Sequence, residues 1–99
     1  MATRAESLQS TEKLGAFVAG FIVCGAPEVE RILVSAGDRG LHVWSIVNNL
    51  ADERLHNVYH CEGLLIDKFP EANFDFHVID RRDYPADGLV PGAETVFRR

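Results

Sequence analysis

The chain has 99 residues, 46% of them apolar and 25% charged, a balance that predicts one soluble globular domain over residues 1–99. The apolar fraction excludes a disordered chain, and 8 glycines and 4 prolines without a period exclude a collagen-like one. Ten basic against 15 acidic residues give a net charge of −5, which argues against electrostatically driven binding to nucleic acid or to an anionic membrane.

The apolar segment 14–26 is the first candidate element. It is too short for a membrane-spanning helix, which needs about 20 residues, and no small-residue cleavage site of a signal peptide follows it. Its large apolar side chains recur at steps of three and four, as in one stripe of an amphipathic helix: Leu14, Phe17, Val18, Phe21 and Ile22. Gly25 and Pro27 form a helix stop, so we predict a helix over residues 7–24.

The two cysteines, Cys24 and Cys61, lie far apart and fit no metal-binding spacing. Free cysteine behaves as a small hydrophobic residue, so we predict that both thiols are reduced and buried. Unpaired cysteines are typical of a reducing compartment, which favours a cytoplasmic protein.

Segments 29–35 and 41–47 are rich in β-branched and aromatic residues and predict two strands. The loop between them contains Gly37 and Gly40, which predicts a hairpin with glycines at positive dihedral angles. Both strands are apolar on both faces, which indicates central positions covered on each side. We expect Trp44 to pack in the core.

A second helix is predicted over residues 51–69, where Pro70 ends it, and a third strand over 74–79. A strand, a helix of this length and another strand imply a right-handed parallel crossover. The segment 93–97 predicts a short edge strand. The fold class is therefore α+β, a two-layer sandwich of order α-β-β-α-β-(β), with helices on a mixed sheet that has one parallel crossover.

One buried carboxylate and three strand side chains are the candidate functional residues. Glu62 falls in the centre of the apolar stripe of the second helix, where it needs a hydrogen-bond donor or a raised pKa. His42 and His77 lie on strands that we expect to be neighbours, and Asp75 interrupts an apolar strand. Two interpretations stay open: structural hydrogen bonds and solvent exposure, or an acid–base site.

The remaining polar clusters carry weaker hypotheses. His56 and His60 share one face of the second helix, but Asn57 stands where a zinc-protease motif requires glutamate, so a solvated helix face is predicted. We predict no metal and no cofactor. An anion site is a further hypothesis, and its residues are Arg31, Arg81 and Arg82.

The segment 31–79 resembles the core of the minimal nucleotidyltransferase fold. Segments 29–35 and 41–47 look like its first two strands, and Asp75 in Phe74-Asp-Phe-His-Val78 matches the position of its third carboxylate. The resemblance implies the fold of that family; a ferredoxin-like arrangement is the alternative topology.

This sequence departs from the family pattern at the positions that carry the chemistry. Ser35-Ala-Gly37 replaces the Gly-Ser turn, and His42 and Trp44 stand in place of the paired aspartates. Two-metal phosphoryl transfer needs several carboxylates, so the resemblance implies a non-catalytic relative.

Two functions follow as expectations. The first is a non-catalytic interaction or regulatory domain that binds a protein partner or forms a homodimer, because the first helix adds small residues to its apolar stripe. These are Gly15, Ala16, Ala19 and Gly20. The alternative is a small enzyme or ligand-binding protein that uses a pocket between sheet and helix, lined by Glu62, His42, His77 and Asp75.

Overall fold

The computed structural model describes residues 4–38 and 40–99 and confirms the predicted α+β class and element order. Two helices and four strands are connected by short loops, apart from the long connection 81–93. The elements are α1 (Arg4–Gly25), β1 (Arg31–Ala36), β2 (Leu41–Val47), α2 (Asp52–Lys68), a 3-10 turn (Pro70–Ala72), β3 (Asp75–Asp80) and β4 (Glu94–Arg98). None of the described helices is long and apolar enough to cross a membrane.

The sheet has the strand order β3-β2-β1-β4. Strand β1 is antiparallel to both β2 and β4, and a bulge between Ile32 and Leu33 interrupts its pairing with β4. Strands β2 and β3 are parallel and are joined through α2, as the predicted crossover requires. The two apolar strands β1 and β2 therefore take the central positions, and β4 is the predicted edge strand.

Both helices pack on one face of the sheet, where they form the hydrophobic core. The α1 residues Val18 and Ile22 and the α2 residues Val58 and Leu65 are fully buried in this cluster. Side chains alternate between the two faces of a strand, so the sheet contributes every second residue of β1 and β2. The apolar ones are Ile32, Val34, Leu41, Val43 and Val47, and the fully buried Ser45 lies between the last two.

The second face of the sheet, which we call the open face, carries no helix among the described elements. Leu33 and Ile46 on this face are still buried, with 9% and 0% of their surface exposed. Connection 81–93 runs from the β3 edge to the β4 edge, and its Asp87 accepts a hydrogen bond of 2.7 Å from Arg31. Trp44 lies on the same face and is only half-buried, so its predicted place in the main core was wrong.

The hairpin loop between β1 and β2 needs its glycines for space. The Gly37 amide donates to the Gly40 carbonyl at 2.8 Å, and Gly37 does not have the positive φ that we predicted. A Cβ atom on Gly40 would collide with the main chain of Asn73, and one on Gly37 would lie 2.7 Å from Nε2 of His42. The loop therefore packs closely against the start of β3 and against one imidazole.

The two cysteines differ in burial. Cys61 is buried in the core cluster, as predicted, but Cys24 is exposed. Cys24 lies in the last turn of α1, two residues after the buried Ile22, and the helix period turns it away from the sheet.

Candidate functional site

The pairing of β2 with β3 brings three candidate residues together on the open face. The parallel register sets His42 opposite Asp75 and Trp44 opposite His77. Residues two apart in a strand point to the same side, so all four side chains share one face. The core residues Val43 and Phe76 occupy the other face.

One carboxylate lies between two imidazoles. Asp75 Oδ2 is 3.1 Å from Nδ1 of His42, and Asp75 Oδ1 is 3.4 Å from Nε2 of His77. Neither contact has hydrogen-bond geometry, and the buried Nε2 atom of His77 has no hydrogen-bond partner. The three side chains can present one nitrogen or oxygen each within 4.8 Å of one another, which is close enough for one metal ion.

Trp44 packs against both imidazoles of this cluster. The centroid of its ring system lies 5.7 Å from that of His42 and 5.3 Å from that of His77, and the rings are within 23° of parallel. The two imidazole centroids are 5.8 Å apart. Trp44 therefore restricts the orientation of both imidazoles, and its indole reports on any change at the cluster.

A cleft of about 650 Å³ opens beside the cluster, at the amino ends of β2 and β3. Four of its six lining residues are polar, and its carboxylates are those of Asp38 and Asp75. The other lining residues are Gly40, His42, Asn73 and Phe74. Asn73 adopts a left-handed conformation with φ 50°, which ends the 3-10 turn and starts β3 at the cleft. Neither Asp38 nor Asn73 was among the predicted site residues, because their contribution depends on the packing of two loops.

Glu62 does not join the cluster. It lies on α2, on the helix-covered side of the sheet, with 8% of its surface exposed. Its Oε2 atom is buried without a hydrogen-bond partner, and burial raises the pKa of Glu62 to about 7. The predicted pocket between sheet and helix is therefore not the place where His42, Asp75 and His77 meet: strand alternation puts those three on the opposite face.

The three arginines of the anion hypothesis do not form one free cationic site. Arg31 pairs with Asp87 at 2.7 Å, and Arg81 pairs with Glu30 at 2.8 Å. Arg82 is exposed at the turn that follows β3. Arg31 and Arg81 do line a second cleft of about 460 Å³, but carboxylates on its wall already bind both guanidinium groups. On α2, His56 and His60 are both exposed, as predicted for a solvated helix face.

Asp80 binds main-chain amides of two loops, a structural role that was not predicted from the sequence. Its carboxylate accepts hydrogen bonds from the main-chain amides of Asn49 at 2.8 Å, Leu50 at 3.2 Å and Arg82 at 3.0 Å. Hydrogen bonds from the amides of Asn49 and Arg82 hold the pKa of Asp80 below its ordinary value. Asp80 thus ties together the loops that leave the parallel strands β2 and β3. An aspartate at the end of one strand and two asparagines at the end of the other were the available signal.

No family model, curated protein or solved structure matches this chain. The fold and the geometry of the open face define it as a two-layer α+β domain with an imidazole–carboxylate cluster beside a polar cleft.

Proposed function

We propose that this chain is a non-catalytic binding domain for a small, positively charged ligand, which it holds in the cleft beside His42, Asp75 and His77. One observation carries the proposal. The parallel register of β2 and β3 brings two imidazoles and a carboxylate within 4.8 Å of one another at the cleft.

The charge of the cleft supports a positively charged ligand. Asp38 and Asp75 contribute two carboxylates, and His42 is the only basic side chain among the described lining residues. Half of the Asp75 side chain is exposed to solvent, so a ligand can reach it. A volume of about 650 Å³ is within the usual range of small-molecule sites, roughly 300–1,000 Å³.

The resemblance to a nucleotidyltransferase core is part of this proposal at the level of the fold only. At the positions that correspond to the family's metal ligands, this chain has His42, Trp44 and Asp75, and thus one carboxylate where the chemistry uses several. We accordingly expect no binding of ATP with Mg²⁺, and calorimetry should record no heat.

The proposed function predicts that a small dication binds and that a dianion of similar length does not. Trp44 is the only tryptophan and contacts the cluster, so its fluorescence should change saturably with 1,4-diaminobutane and not with succinate. We expect Asp75→Asn to weaken diamine binding by roughly 10- to 150-fold, since a hydrogen bond to a charged group contributes about 1.5–3 kcal/mol. Amide chemical shifts of residues 73–75 should locate the site.

The same Asp→Asn change at an exposed position outside the cleft is the matched control for this titration. Asp67→Asn alters an exposed carboxylate on α2, away from the lining residues, and should leave the diamine affinity unchanged. Binding of succinate in preference to the diamine would contradict the proposal. So would the absence of any response to both the diamine and divalent cations.

Self-association is a second proposed property, supported by the outer surface of α2. Tyr59 and Ile66 lie seven residues apart on one helix face and are 50% and 49% exposed. We propose that a second copy of this chain covers them. Light scattering should give a dimer mass at micromolar concentration for the natural chain and a monomer mass for Ile66→Glu. A monomer mass for the natural chain at every concentration would refute this.

A further inference from the structure

We infer that the positively charged ligand is a divalent transition-metal ion of the zinc type, coordinated by Nδ1 of His42, Nε2 of His77 and the carboxylate of Asp75. The inference rests on the proposed function, because it names the ligand of the same site. It goes further in one respect: it assigns a role to the two imidazoles, which an organic cation does not require.

The donor set is the first argument. Imidazole nitrogens combined with a carboxylate oxygen are common ligands of Zn²⁺ and of Fe²⁺, Co²⁺ and Ni²⁺, whereas Mg²⁺ and Ca²⁺ prefer oxygen ligands alone. The carboxylates of Asp38 and Asp75 suffice to recognise an organic ammonium group, so such a ligand does not account for the two imidazoles. Two imidazoles that flank one carboxylate therefore favour a transition metal over Mg²⁺ or Ca²⁺ and over an organic cation.

The distances are the second argument. Tetrahedral coordination with bonds of about 2.0–2.1 Å separates neighbouring ligand atoms by roughly 3.3 Å. Oδ2 of Asp75 lies 3.1 Å from Nδ1 of His42, and Oδ1 of Asp75 lies 3.4 Å from Nε2 of His77, so each imidazole nitrogen already has one carboxylate oxygen near this spacing. One ligand atom from each of the three residues lies within 4.8 Å of the other two, which is close enough for one ion to contact all three.

The unsatisfied nitrogen is the third argument. Nε2 of His77 is buried and has no hydrogen-bond partner. An unpartnered buried polar atom is costly, and a coordinated ion would satisfy it. The stacked ring of Trp44 and the close approach of Gly37 to His42 restrict both imidazoles before any ion binds. Three protein ligands leave a fourth position for water or for an atom of a second ligand.

Metal titration tests this inference. Zn²⁺ should bind the full chain with one equivalent in a chelator-competition assay, and Co²⁺ should give a visible absorption band. The titrations are made in a Cys24→Ser background, because the exposed thiol of Cys24 is itself a metal ligand. Removing two ligands with His42→Ala/His77→Ala should lower Zn²⁺ affinity by at least about 100-fold, since even outer-shell partners contribute 10–100-fold.

The chain contains its own matched control. His56→Ala/His60→Ala also removes two of the four histidines, but from the exposed face of α2, and should leave the tight equivalent intact. Gly37→Ala keeps every ligand and should weaken binding, because the added Cβ would lie 2.7 Å from Nε2 of His42 and displace the ring. If the double alanine variant does not fold, Zn²⁺ binding is measured on Asp75→Asn instead. This change is nearly isosteric and removes one of the three ligands, so it should weaken Zn²⁺ binding.

The outcomes separate this inference from the proposed function. Diamine binding in the cleft without Zn²⁺ or Co²⁺ binding would overturn the metal inference alone. If His56→Ala/His60→Ala lost the one tightly bound equivalent of Zn²⁺ and His42→Ala/His77→Ala kept it, the metal would lie on α2. This result would also overturn the metal inference. The metal inference would be supported directly if addition of Zn²⁺ changed the NMR chemical shifts of the ring protons of His42 and His77. Those of His56 and His60 should stay unchanged.

Discussion

Glu62→Gln is expected to stabilise the protein by about 3 kcal/mol at pH 8, because it removes a buried carboxylate whose Oε2 atom has no hydrogen-bond partner. Burial raises the pKa of Glu62 from 4.5 to about 7. The folded state therefore binds a proton more tightly than the unfolded state. Ionisation above pH 7 favours unfolding, and glutamine has no such ionisation.

The sign of the effect gives the pH range in which it appears. The stability that protonated Glu62 contributes is fully present below pH 4.5 and is lost as the pH rises through about 7. The natural chain and Glu62→Gln should accordingly differ little near pH 4.5 and most near pH 8. Urea denaturation at pH 4.5, 6 and 8 measures this difference.

Other carboxylates make stability depend on pH in the opposite direction. Their contribution is the same in the natural chain and in Glu62→Gln, so it cancels when the two are compared. Hydrogen bonds to the charged form hold the pKa of Asp80, Asp83 and Asp87 below the ordinary value, so their contribution is lost on acidification. Glu53→Gln, an exposed position on the same helix, is the control and should leave the profile unchanged. Equal stability of the natural chain and Glu62→Gln at pH 8 would disprove the assignment.

Ile46→Ala is expected to destabilise the protein by about 2–4 kcal/mol, as other large-to-small core substitutions do. Ile46 lies on the open face of the sheet, yet none of its surface is exposed. Truncation of a side chain on a solvated face would lower the free energy of unfolding by less than this. The large effect is therefore a test of whether the side chain of Ile46 is enclosed on the open face of the sheet.

Leu64→Ala is the matched control for Ile46→Ala. It also removes three carbon atoms, at a position of α2 where the side chain is 43% exposed and outside the proposed dimer surface, so the cost should be less than about 1 kcal/mol. Urea denaturation of both variants at one pH gives the two values. A cost at Ile46 no greater than that at Leu64 would show that the open face is not closed at that end.

The pattern of elements was predictable because each local signal agreed with the fold. The apolar stripes of the two helices, the loop between β1 and β2 and the stop at Pro70 gave their approximate ranges. The alternation of Phe74 and Phe76 with Asp75 also indicated that Asp75 points away from the core. These properties depend on residues that are close together in the chain.

The composition of the site was not predictable to the same extent. Glu62 was grouped with His42, Asp75 and His77 because all four positions needed an explanation, yet α2 buries Glu62 on the other side of the sheet. Trp44 was assigned to the core because periodicity does not show that both helices pack on the same face. A choice between two faces involves contacts between residues far apart in sequence, and local patterns do not contain it.

The sequence by itself therefore determined the fold class, the single parallel crossover and the side of each strand on which a residue points. It also determined that His42, Asp75 and His77 lie at strand positions that alternate with apolar residues. Only the tertiary structure decided that His42 lies opposite Asp75, because this register depends on how α2 returns the chain to the sheet. That register, and the packing of the loop at Gly40 against Asn73, turn separate side chains into a cluster beside a cleft.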